Sequence, residues 1–278
     1  MNVFKIIALF LCFNALVTSY HAHANLLISP TRIAFDERQR VAQVIVINNS
    51  NEYKTYRLAW EEKKAKPVGG YTRLEPETPN PTSLSNMVRM SPSQVRLAPG
   101  ERQIVKLALR KPQNLAEQEY RSHLLFQALP NETKSQSENQ GMGININLIL
   151  SYSIPVILRQ GTKLPEVDIQ NVSLNNNGAK KILNISIARK GKYSSFGKIE
   201  VLYKAKNSKE EVTVAMVNDY SIYPEIALSK LALNIFDHVA IDSPGQLRIV
   251  YSGLKEYRGQ VFAEKVVNID ASSIGLLN

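Results

Sequence analysis

Cysteine is almost missing from this chain. The single cysteine among 278 residues is Cys12, inside the amino-terminal apolar run. The chain beyond that run can form no disulfide, carries no thiol nucleophile and offers no cysteine to a metal. Histidine is scarce as well. Past residue 24 only His123 and His238 remain, in different halves of the chain and without carboxylates at ligand spacing, so no zinc site is expected. His123 lies inside the strand-like run RSHLLFQALP and is expected to be a satisfied histidine in or near a core. There is no G-x-S-x-G, no phosphate-cradling glycine loop and no pair of carboxylates in an evident cleft. Neither catalysis nor a cofactor is therefore expected. Long apolar runs are missing too. The longest, residues 6–17, falls short of the roughly 20 residues that cross a bilayer, so no membrane insertion is expected.

That apolar run is informative for another reason. Lys5 precedes it and Ala22-His23-Ala24 follows it. A positive residue, a short apolar stretch and a small-x-small site form the pattern of a secretory signal peptide. Residues 1–24 are expected to be removed before Asn25, and the remainder to be exported. An exported chain without disulfides depends on core burial, and this one is long enough for two modest cores. The formal net charge is +10, but the basic residues are scattered and often sit beside acids, as in Glu61-Glu62-Lys63-Lys64 and Lys209-Glu210-Glu211. That is the pattern of a solvated surface, and no nucleic-acid partner is expected.

The apolar residues alternate with the period of β-strands. Tyr56, Leu58 and Trp60 alternate with Arg57, Ala59 and Glu61, and Val105, Leu107 and Leu109 with Ile104, Lys106 and Ala108. Residues 41–47 (VAQVIVI) form a β-branched run that suits burial on both faces. ILNISIA, KIEVLY, LRIVY and VFAEKVVNI continue the pattern in the second half, and Asn48-Asn49-Ser50, Ala98-Pro99-Gly100-Glu101, Asn175-Asn176-Asn177-Gly178 and Ser243-Pro244-Gly245 supply turns. Pro99-Gly100 suits the centre of a type II turn. Residues 225–233 fit one or two helical turns, or a loop and a strand. The expected class is all-β, as two sandwiches. The polar stretch 159–165 breaks the pattern, which sets an expected first domain at 25–160 and a second at 161–278. Residues 75–92 hold four prolines and are expected to be irregular, and residues 131–143 are expected to form a long hairpin loop. The loop leads into GININLILSYSIPV, where Ile144, Ile146, Leu148 and Leu150 line one face. Such a face covers either its own core or something else.

Leu26 to Ser50 (LLISPTRIAFDERQRVAQVIVINNS) resembles the opening of a periplasmic pilus assembly chaperone. Ser29-Pro30-Thr31-Arg32, the strand at 41–47, Tyr56-x-Leu-x-Trp60, Leu97-Ala-Pro-Gly-Glu101 and Glu119-Tyr120-Arg121-Ser122-His123 follow in the family's order, and Pro155 stands where these chaperones carry a proline. Residues 188–201, Ser221-Ile222-Tyr223 and GQLRIVYSG, with YRSHLLF and SYSIPV, are most similar to the archaic branch, associated with spore-coat-U-like pilins. The resemblance implies two immunoglobulin-like domains in an L or boomerang, a periplasmic location, pilin subunits and an outer-membrane usher as partners, and a dimer that caps the free protein's exposed strand as one option. It implies that Ile144, Ile146, Leu148 and Leu150 form the strand lent to a subunit, and that Arg32 binds the subunit's terminal carboxylate, a task suited to the planar guanidinium fork. The better-known branch has a lysine five positions before its proline. Leu150 stands there instead. Arg89, Arg102, Lys106 and Arg121 are the candidate substitutes, with Arg89 and Arg121 preferred because they lie in strand-like segments.

The competing reading is an exported two-domain structural or adhesive surface protein. A pilin is usually one sandwich with an amino-terminal donor extension, often with a disulfide. Here the strand pattern starts almost at Asn25 and no cysteine follows, which favours the chaperone.

Overall fold

The computed structural model describes residues 25–36, 38–130, 150–176, 180–239 and 241–270. The signal segment, the loop at 131–143 and the residues Ile144, Ile146 and Leu148 lie outside them. The first core is built from β1 (Leu26–Ser29), β2 (Ile33–Phe35), β3 (Val41–Asn48), β4 (Lys54–Glu61), β7 (Val88–Ser91), β8 (Gln94–Leu97), β9 (Arg102–Leu109), β10 (Glu119–Leu129) and β11 (Ser151–Arg159), while β5 (Lys63–Ala65) and β6 (Tyr71–Arg73) form a separate hairpin whose Ala65 packs on the second core. One sheet has the order β1-β3-β9-β7 and the other β2-β11-β10-β4-β8. Between them Val44, Val46, Val105, Leu107, Leu124, Phe126, Val156 and Leu158 are buried.

The strand period accounts for the alternation of these residues, because alternate side chains face the opposite sheet. Residues 41–47 depart from the expected burial on both faces. Ala42, Val44 and Val46 are buried, but Val41 is 53% exposed and Gln43 is exposed. The sheet packs on one side only, so β-branched composition alone overstates the burial. The stretch 75–92 is also more ordered than its prolines suggest. Val88 and Met90 turn inward, and β7 pairs with β9 from Val88↔Leu109 to Ser91↔Lys106. The prolines flank this strand rather than interrupt it. The Pro99-Gly100 turn matches expectation, with Gly100 at φ 72° and the Glu101 N–H donating to the Ala98 carbonyl at 3.0 Å.

The second core is formed by β12 (Glu166–Asn176), β13 (Lys181–Lys190), β14 (Ser195–Ala205), β15 (Val212–Ile222), β16 (Leu228–Asn234), β17 (Gly245–Gly253) and β18 (Val261–Ile269). Its sheets run β12-β13-β16 and β15-β14-β17-β18, a seven-strand sandwich around Leu183, Ile185, Ile187, Ile199, Val201 and Ile249. Residues 225–233 resolve into a turn followed by all of β16 but its last residue, the loop-and-strand alternative rather than a helix. The fold is thus all-β, in two sandwiches.

One crossing positions the site. The first strand breaks at Ser29-Pro30-Thr31-Arg32 and resumes as β2 on the opposite sheet, where Ile33↔Val156 and Phe35↔Leu158 pair in parallel with β11. Proline has no N–H to give the ladder, so the strand leaves its sheet there. Arg32 is carried at the switch, against the second sandwich.

Candidate interdomain site

Two arginines from the first sandwich reach carboxylates of the second. Arg32 is only 6% exposed. Its Nη1 donates to Oε1 of Glu256, in the short turn at Lys255–Tyr257, and its guanidinium lies 4.3 Å from the centre of the Phe196 ring. Burial works to lower the Arg32 pKa, but Glu256 and the nearby Tyr223 outweigh it and the net shift is upward. Arg121, on β10, donates through Nη2 to Glu225 Oε1 and through Nη1 to Glu225 Oε2 at 3.4 Å, and its guanidinium sits 3.8 Å from the Tyr223 ring centre. Burial works to raise the Glu225 pKa. Arg121 and the Ala65 N–H, which donates to Oε1 at 2.9 Å, overcome it and the net direction is down.

Glu119 stands near both cations. It is buried at 3% exposure, and its Oε2 accepts from the Ser194 N–H at 2.8 Å and the Ser194 hydroxyl at 2.6 Å. Oε1 has no hydrogen-bond partner among the described residues. Burial raises its pKa against the pull of Ser194, Arg32 and Arg121. A cleft of about 370 Å³ opens beside it, lined by Lys63, Lys64, Thr82, Glu119, Arg121 and Glu225 among others.

The hairpin β5–β6 bridges the same boundary. The Tyr71 hydroxyl donates to that of Tyr223 at 3.1 Å, and the Lys230 N–H donates to the Pro67 carbonyl at 2.7 Å. At the linker, Gly161 (φ 107°) packs so tightly on Tyr193 that an added Cβ would lie 2.2 Å from the tyrosine oxygen. That tyrosine donates to the Gln160 carbonyl at 2.6 Å, and Arg159 lies over the rings of Tyr193 and Tyr257.

Of the residues singled out in the sequence, Arg32 and Arg121 meet at this boundary, since Glu119 and Tyr223 feel both. Arg89 does not join them. It is an exposed residue of β7, in the other sheet. Leu150 is described at 44% exposure, immediately before β11. His123 is buried as expected but not satisfied: neither ring nitrogen has a partner among the described residues. Burial, then Arg121 and Lys63, push its pKa down to about 3. Sequence reasoning missed Glu119, Glu225 and Glu256, because their partners are distant in the chain. It also missed Lys63, whose Nζ donates to Ser153 Oγ on β11 at 2.6 Å. The tight run Glu61-Glu62-Lys63-Lys64 disguised it as ordinary surface. No group of three or more metal-ligating side chains occurs among the described residues.

β11 carries the apolar alternation inward. Ile154, Val156 and Leu158 are buried in the first core, Tyr152 packs at its margin, and Leu150 emerges from it. β10 covers one edge of the strand along its length, whereas β2 covers the other only from Val156 to Leu158. Among the described residues, the outer edge of 151–155 therefore has no strand against it.

Residues 25–161 match the family model described as pili and flagellar-assembly chaperone, PapD N-terminal domain. No curated protein matches the sequence. Among solved structures, the chain is similar to the YadV chaperone at 12% identity, covering 88% of this chain and 100% of that one with a TM-score of 0.45. It is similar to the class 5 fimbriae chaperone CfaA at 16% identity, covering 88% and 98%, TM-score 0.44. A third similar structure is the CsuC–CsuE chaperone–tip adhesion subunit pre-assembly complex from archaic chaperone-usher Csu pili of Acinetobacter baumannii, at 14% identity, covering 89% and 99%, TM-score 0.42.

Proposed function

The chain belongs, through residues 25–161, to the pili and flagellar-assembly chaperones, and from that premise we propose that it captures one incomplete pilin subunit by lending it a strand. That family match is the observation that carries the reading. A sandwich lacking a strand exposes a core groove and unpaired backbone groups, an aggregation hazard. Addition of a strand to an open sheet edge satisfies both needs at once: backbone bonds give affinity and alternate side chains fill pockets. The donor is the segment leading into β11, with Ile144, Ile146, Leu148 and Leu150 as the inserted side chains. Each contributes roughly 1.5–3 kcal/mol of transfer free energy, reduced by the costs of ordering and association.

The free edge at 151–155 and the emergence of Leu150 from the core support this assignment. Arg32 anchors the subunit's terminal carboxylate, and Arg121, with Lys63 beside it, supplies the second cation in place of a lysine at position 150. The protein works in the periplasm after loss of residues 1–24, performs no covalent chemistry, needs neither nucleotide nor metal, and passes its subunit to an outer-membrane usher. The two domains divide near residue 160. A surface adhesin is the weaker reading, because the match over 25–161 is to an assembly factor.

The test is affinity capture of tagged protein from its native periplasm, with mass spectrometry of co-eluting chains. A small β-rich subunit at one-to-one stoichiometry, lost in Arg32→Ala, is the expected result. A small-molecule ligand, or no partner from cells that express pilins, would transfer the assignment to the structural reading.

A further inference from the structure

The two arginines are already engaged, and by residues of the same chain. Arg32 donates to Glu256 and Arg121 to Glu225, so both carboxylates come from the second sandwich and both guanidinium groups from the first. Neither pair is complete. The buried Nε of Arg32 and that of Arg121 have no hydrogen-bond partner among the described residues. A guanidinium held for stability alone is expected to have every buried N–H satisfied, since a half-satisfied buried polar network is costly. A donor edge left open beside a held carboxylate is what an exchange site requires.

The two glutamates are also placed to leave. Glu225 lies in the turn after β15 and Glu256 in the turn after β17, and their side chains are 23% and 25% exposed while those of the arginines are 9% and 5% exposed. Either carboxylate can swing into water, where it is well solvated, whereas neither cation can follow.

Resting on the reading that Arg32 and Arg121 anchor a subunit's terminal carboxylate, we propose that Glu256 and Glu225 hold that anchor in the free protein and compete with the incoming group. Capture then exchanges internal carboxylates for an external one. The buried cations are never left unpaired, and weak or irrelevant carboxylates are excluded because they must displace an intramolecular competitor. At Glu225 the exchange has a second consequence. Oε1 also accepts the Ala65 N–H, so its departure frees the β5–β6 hairpin from one of its ties to the second sandwich.

Glu225→Gln and Glu256→Gln test this, because glutamine keeps the oxygen that accepts from Ala65 or arginine and removes the charge. The probe is a synthetic peptide of alternating valine and serine with a free carboxylate, compared with its carboxyl-terminal amide by calorimetric titration. Each substitution is expected to tighten binding of the free acid on the order of tenfold, within the usual range for coupled sites, and to leave the amide unchanged. Amide protons of β5 should exchange faster when wild-type protein is saturated with the acid. Thermal unfolding of each variant confirms that it is folded. If the variants bind the acid no better than wild type while Arg32→Ala abolishes binding, the competition is refuted and the anchor stands. If Arg32→Ala leaves acid binding intact, or no form distinguishes acid from amide, the anchor falls and the competition with it.

Discussion

Asn48 is fully buried at the end of β3. Its Nδ2 donates to the carbonyls of Glu52 (2.7 Å), Leu97 (3.0 Å) and Ala98 (3.0 Å), and its Oδ1 accepts from the N–H and hydroxyl of Ser50. One side chain thus ties two turns together. Asn48→Ala takes this donor from the buried Leu97 carbonyl, at a cost of about 1–3 kcal/mol, whereas the Ala98 carbonyl keeps the Glu101 N–H and the exposed Glu52 carbonyl keeps the Ser50 hydroxyl. A loss of about 1–3 kcal/mol in urea unfolding is expected; a loss below ~0.5 kcal/mol would mean that water reaches that carbonyl. The sequence made Asn48 legible as a turn residue, because asparagine bonds its own backbone two positions on. Its bond to Leu97 was not legible, since nothing local in the chain marks a partner 49 residues away. His123 gives a second prediction at this scale. Its folded pKa is pushed down to about 3 by burial and then by Arg121 and Lys63, while the unfolded chain titrates near 6.5. Between those values the unfolded state binds the extra proton, so stability is complete above about pH 6.5 and declines as pH falls towards 3, by at most about 1.4 kcal/mol per unit. His123→Phe is expected to flatten that part of the pH profile. An unchanged slope would place the acid sensitivity elsewhere.

Among the elements, β11 shows most clearly what a periodic pattern conveys and what it omits. The alternation from Ile144 to Leu158 is unbroken in sequence, apart from Tyr152 standing where an aliphatic residue is usual. It identifies a strand and an apolar face. It does not say where the core beneath that face ends. That depends on the extent of the opposite sheet, and here burial falls from Ile154 at 5% exposed to Leu150 at 44%. Two substitutions of identical chemistry should therefore part company. Ile154→Asp puts a charge in the first core and is expected to unfold it, because an unpaired buried charge costs several kcal/mol. Leu150→Asp is expected to leave circular dichroism and melting within a few degrees of wild type while abolishing capture of the subunit. Equal loss of folding in both would make the face a core face throughout. The short strands were the least legible elements. β5, β6 and β7 have three or four residues each, too few for a period to stand out, and they owe their order to partners: β9 for β7, and the second sandwich for the hairpin.

At the scale of the whole molecule, the question is whether two sandwiches joined by one linker behave as one body. Domains in a chain move independently unless their contact is extensive. Here the contact is polar and specific. The Glu119 N–H donates to the Lys192 carbonyl at 3.1 Å and its carboxylate accepts twice from Ser194, while Lys230 pairs with Pro67 of the hairpin. None of these ties was visible in the sequence, where Glu119 is one acid among 24, although the two cores it joins could be read from strand periods. A carboxylate buried to this degree is tolerable only while its bonds last. If either sandwich unfolded alone, Ser194 would be lost to Glu119 and Arg32 would lose Glu256, which penalises the half-folded state. Calorimetry of the wild-type protein is therefore expected to give one transition. Glu119→Ala removes the bonds to Ser194 and leaves that buried serine without its acceptor, so the penalty for separate unfolding falls and the single endotherm should broaden or divide in two. A single sharp endotherm in the variant would locate the coupling in the hairpin instead, and Gly69→Pro, at a glycine with φ 91° that proline cannot adopt, would then be the substitution that divides it.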